Sequence, residues 1–84
     1  MLDIGKFLAV DAVPSARGAK TLRWALLNRG GSRLGVISWY SPWRCYTVDP
    51  EPGTTFNSQC LRDIARFLDS VRSKRVQAEG GGGG

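Results

Sequence analysis

Side chains able to do covalent or acid–base chemistry are few in this chain, and none has a partner nearby in sequence. The candidate nucleophiles are Cys45, Cys60, Ser38, Ser41 and Ser58. Such a nucleophile needs a base within hydrogen-bond reach, and the chain contains no histidine. Cys60 falls on the apolar stripe of the helix described below, which reads as a buried thiol. Asp49 and Glu51 stand beside Pro50 and Pro52 and read as an acidic loop rather than a catalytic pair. Arg62 and Arg66 are one helical turn apart and could grip a phosphate. Asp63 and Asp69 beside them make a solvated face of mixed charge the simpler reading. With no CxxC pair and no histidine, no zinc site and no cofactor are expected. The expectation is a protein without enzymatic activity.

What remains is recognition chemistry. Twelve Lys and Arg, most of them Arg, stand against seven Asp and Glu, for a formal net charge of +5. Such a balance attracts phosphate-bearing or acidic partners, and it also serves solubility. The densest stretch is WYSPWRCY, residues 39 to 46, with four aromatic rings in eight positions. It is either a contact surface or the inside of a small sheet. The elements that carry it have to decide.

The pattern predicts an α+β domain, an antiparallel meander of three or four strands with one C-terminal amphipathic helix packed on one face. FLAVDAV (residues 7 to 13) is apolar and ends at Pro14, and residues 15 to 19 read as a loop. In residues 20 to 28, Leu22, Trp24 and Leu26 alternate with Thr21, Arg23 and Ala25, the period of a half-buried strand. Arg29-Gly-Gly-Ser32 is a turn signal, because tight hairpins require positive φ. Residues 33 to 40 form the next strand, Ser41-Pro42 breaks it, and residues 43 to 48 form another. Asp49 to Thr55 is a stiff connection. From Gln59 the period lengthens: Cys60, Leu61, Ile64, Phe67, Leu68 and Val71 share one helical side, while Arg62, Asp63, Arg66, Asp69 and Ser70 share the other. Asn57 or Ser58 caps this helix, Phe56 can staple onto its first turn, and Arg72, Lys74 and Arg75 suit its negative end. Met1 to Lys6 reads either as a helical turn or as a lead into a first strand. The domain spans residues 1–76. Residues 77–84, ending in five glycines, read as a flexible tail of linker type, to be discounted in folding. The absence of a basic start followed by a long apolar run near Met1 suggests a cytoplasmic protein with free thiols. A single disulfide stays open.

Alternation also assigns faces. Leu22, Trp24, Leu26, Ile37, Trp39, Trp43 and Cys45 are expected to face the helix, since turning Arg44 inward would bury an unpaired charge. The opposite face then holds Arg23, Ala25, Leu27, Val36, Ser38, Tyr40, Arg44 and Tyr46. Tyr and Arg are enriched at binding surfaces. The plain alternative is a sheet face left to water.

Residues 34 to 68 resemble a group of short, uncharacterised phage and prophage proteins. The likeness rests on W-Y-x-P-W-R-x-Y over Trp39 to Tyr46, P-x-P-G-T-x-F over Pro50 to Phe56, and C-L-x-D-I-x-x-F-L over Cys60 to Leu68. It implies a small protein of a mobile element and brings no known activity with it. The meander followed by a helix is also similar in outline to AP2-type and integrase arm-type DNA-binding domains, a likeness of topology alone.

Three roles follow as expectations. The first is nucleic-acid binding through Arg23, Arg29, Arg33, Tyr40, Arg44 and Tyr46, aided by Arg17 and Lys20. The second is a protein-binding inhibitor or adaptor acting on a host complex such as a defence system. The third is a homodimer that buries the tyrosines and Leu27. No membrane partner is expected.

Overall fold

The computed structural model describes residues 1–14 and 21–72. Five strands and one helix follow in chain order: β1 (Leu2–Asp3), β2 (Leu8–Val13), β3 (Arg23–Asn28), β4 (Arg33–Tyr40), β5 (Cys45–Pro50) and α1 (Ser58–Ser70). All five strands pair antiparallel, each with its neighbour in sequence, so the sheet is a pure meander. The architecture is therefore α+β as expected, with five strands in place of three or four. The extra strand comes from the ambiguous N-terminus: Leu2 and Asp3 fold back on Val10 and Ala9. The loop expected at residues 15 to 19, and the tail expected from residue 77, lie outside the described residues.

Local chemistry explains the turns. Between β3 and β4, Gly31 adopts φ 91°, which a side chain would oppose, and Asn28 accepts the amides of Gly31 and Ser32. Beyond β5, Gly53 reverses the chain at φ 82°. Asn57 caps α1, its Oδ1 accepting the Cys60 amide at 2.8 Å. Phe56, just before the cap, packs against the core.

α1 lies on one face of the sheet. Cys60, Ile64, Phe67 and Val71 pack on Leu8, Val10, Leu26, Ile37 and Tyr46, with Trp24, Trp39 and Val48 at the margin. Trp24 presents edges to Tyr46 at 5.4 Å and Phe67 at 5.2 Å. Gly35 permits the close approach of β5, since a Cβ there would stand 2.6 Å from the Asp49 carbonyl oxygen.

The helix differs from its expected faces at two residues. Leu61, expected inside, is 54% exposed, and Asp63, expected in solvent, is 2% exposed. The β1–β2 turn closes over Asp63: a Cβ on Gly5 would collide with its carboxylate. Asp63 Oδ1 accepts from Gln59 Nε2 at 2.9 Å and from Arg66 Nη1 at 3.2 Å. Asp63 Oδ2 is buried and has no hydrogen-bond partner among the described residues. Helical periodicity registers only the sheet beneath a helix. It could not register a hairpin laid against the helix flank.

Candidate functional site: the open sheet face

The face away from α1 is built in rows set by strand register. Val13, Arg23, Ser38 and Thr47 form one row across β2 to β5, and Asp11, Ala25, Val36 and Asp49 form the next. Tyr40 pairs with Cys45 beyond the first row. Ala9 and Leu27 pair at the other end and are already buried, so Leu27 is not the exposed dimer contact expected from sequence.

The connection from β4 to β5 shapes one corner of this face. Ser41 to Trp43 form a 3-10 turn with Pro42 in its first turn, and Arg44 closes it in the left-handed conformation at φ 54°. The Arg44 amide donates to the carbonyls of Tyr40 and Ser41 at 2.9 and 3.1 Å. Four residues, not two, therefore leave the ladder, and β5 begins at Cys45. The expected strand over residues 43 to 48 is corrected in phase. Tyr46, expected on the open face, is 3% exposed in the core. Its ring meets Trp39 at 5.2 Å, and its hydroxyl accepts the Leu22 amide at 3.2 Å. Trp43, expected inside, is 71% exposed. Arg44 is exposed in the turn, outside both strands, so its charge does not decide which way the rings of β5 face. Cys45 pairs with Tyr40, is half-buried, and lines a hollow together with Ala65, Leu68 and Asp69 of the helix.

The other expected contact residues divide. Tyr40 is 43% exposed and meets Trp43 edge to face at 5.0 Å and 83°. Arg23 and Arg44 are exposed and form no ion pair among the described residues. Arg29 lies in the β3–β4 turn, paired with Asp3 at 3.1 Å, and Arg33 pairs with Glu51 at 3.3 Å. Both pairs are exposed and hold their partners weakly. Asp11 pairs with the amino group of Met1 at 3.0 Å. Asp49 is exposed, and no ion pair holds it among the described residues. Arg17 and Lys20 lie outside the described residues.

Two shallow hollows adjoin on this face. One, of about 230 Å³, is lined by Val13, Arg23, Ala25, Arg33 and Val36. The other, of about 330 Å³, is lined by Ser38, Tyr40, Trp43, Thr47 and Asp49, with Val48 at the sheet edge. They meet where Arg23 pairs with Ser38 and Val36 with Asp49. One hollow is cationic, and the other offers a carboxylate and aromatic rings. Trp43 is the exposed ring of this face that strand alternation had placed inside. Its signal was Pro42: a ring that directly follows a strand-breaking proline belongs to the turn.

No group of three or more metal-binding side chains occurs among the described residues, and no helix among them is long and apolar enough to cross a membrane. No protein-family model matches the chain, and no solved structure matches it. An uncharacterized 9.3 kDa protein of Acholeplasma phage L2 is 33% identical to it over 61 residues, covering 71% of this chain and 78% of that protein. The chain belongs to the same family as that phage protein.

Proposed function

We propose that this member of a phage protein family is a non-enzymatic binding domain that docks a protein partner through its open sheet face. The observation that carries the reading is the pairing of oppositely charged hollows beside an exposed Tyr40–Trp43 pair. Trp, Tyr and Arg dominate the energetics of protein interfaces, and complementary charge sets their specificity. A polyanion would be drawn to Arg23 and Arg44 and opposed by Asp49 on the same face. An inhibitor or adaptor acting on a host complex, a defence system among them, fits such a surface. A cytoplasmic location is part of this reading.

Nucleic-acid binding is the second reading, favoured by the +5 net charge and by the exposed Arg23 and Arg44, which form no ion pair among the described residues. The outline likeness to AP2-type and integrase arm-type domains belongs with it. Tyr46 drops out of that contact set because it is buried.

Affinity capture from nuclease-treated host lysate separates the two, with Trp43→Ala as control. The protein reading expects a defined protein that the wild type retains and the variant loses. Random duplex or single-stranded DNA binding at low salt, weakened by Arg23→Ala and steeply salt-dependent, would replace it with the second. Light scattering at two concentrations reads the homodimer, which a monomer at both would dismiss.

A further inference from the structure

We infer that the hollow between Tyr40, Trp43 and Asp49 binds a cationic group, namely an arginine or lysine side chain of the partner. This rests on the protein-docking reading and names the chemistry of one of its contacts. Every polar or aromatic group that lines the hollow is suited to a cation. Asp49 supplies a carboxylate that no ion pair occupies among the described residues. Ser38 and Thr47, opposite each other on β4 and β5, supply hydroxyl oxygens able to accept. The rings of Tyr40 and Trp43, perpendicular to each other at 5.0 Å, both line the hollow. A ring face carries negative charge density and attracts a nearby cation.

The backbone holds these groups in place. Asp49 sits on β5, whose approach to β4 depends on Gly35. Trp43 is held by a turn that two Arg44 amide bonds close. No arginine or lysine of the described chain lines the hollow. Arg23 lines the neighbouring one, and Arg44 is not among the residues that line this one. A partner docked on this face would bring an acidic group to Arg23 and a basic one to Asp49, matching the charge of each hollow.

The test uses the full chain labelled with ¹⁵N. Tetramethylammonium chloride is titrated against equal concentrations of sodium chloride and of neopentyl alcohol, an uncharged molecule with the same tetrahedral skeleton and one added hydroxyl. The Trp43 indole N–H and the Thr47 and Asp49 amides are followed. The expected result is a shift of these signals under tetramethylammonium alone, with affinity about fivefold weaker in Asp49→Asn. Asp49 is exposed, so Asn preserves the fold, and unchanged signals from the core indoles verify that. Equal shifts under neopentyl alcohol, no shift, or an undiminished shift in Asp49→Asn would overturn the inference. So would sodium phosphate or a single-stranded oligonucleotide moving the same three signals. If a protein partner is captured in a Trp43-dependent way while tetramethylammonium leaves the hollow unmoved, the docking reading stands and this inference alone falls.

Discussion

Trp39 and Tyr46 face each other across β4 and β5, and their rings meet edge to face at 5.2 Å beneath the helix. Tyr40 and Trp43, their neighbours in the chain, meet edge to face at 5.0 Å on the opposite side, where no helix covers them. The ring geometry is nearly the same and the residue types are the same. Cover alone distinguishes them. The covered pair removes apolar area from water and contributes to folding, at about 25 cal/mol per Å². The uncovered pair leaves its area to solvent and contributes little to folding. Ring contacts therefore do not distinguish a core from a contact surface. What lies above the rings does.

The comparison breaks first on the covered side. Phe67→Ala removes the ring that meets Trp24 and the largest apolar side chain of the helix stripe. It should cost about 3–5 kcal/mol, much of the stability of a domain this small. Urea unfolding should show the midpoint collapse, and a variant that unfolds like wild type would refute the assigned core. Next comes Gly35→Ala, which sets a Cβ against the Asp49 backbone and should cost about 1–3 kcal/mol. It should also disturb the Asp49 and Thr47 amide signals, linking the strand contact to the hollow. Asn57→Ala deletes the one side-chain cap of α1 and should cost about 1 kcal/mol by the same unfolding assay.

The uncovered side should behave in the opposite way. Trp43→Ala should leave stability within about 0.5 kcal/mol of wild type, because the ring is mostly in water. Its effect on partner binding should reach about 2 kcal/mol, near thirtyfold in Kd. Arg44→Gly sharpens the point further. Glycine accepts the left-handed turn that Arg44 occupies, so the fold should hold or gain slightly while one exposed charge disappears. A large loss of stability in either variant would mean that this corner belongs to the core.

Much of the fold was legible in local pattern. β4 runs from Arg33 to Tyr40 as its alternation and bounding turns indicate, and α1 follows its apolar spacing and its Asn57 cap. Trp24, Leu26, Ile37 and Trp39 share the helix side, as a period of two demands. The errors cluster where one residue of phase matters. Taking Ser41-Pro42 as the whole break exchanged Tyr46 with Trp43, and with it a buried ring with an exposed one. Of the candidate site, Arg23, Tyr40 and Arg44 were legible as exposed. Asp49 read as a loop acid, and only its pairing with Val36 places it on the face.

Sequence alone determined the strand and helix periods, the cap, the glycine turns and the excess of arginine, because each depends on neighbours within a few residues. Tertiary structure alone decided which aromatic rings stay wet, why Asp63 is buried under the β1–β2 turn, and that Arg23 and Asp49 line adjoining hollows. Those outcomes depend on register between strands and on which face the single helix covers. Both are set by contacts between residues far apart in the chain.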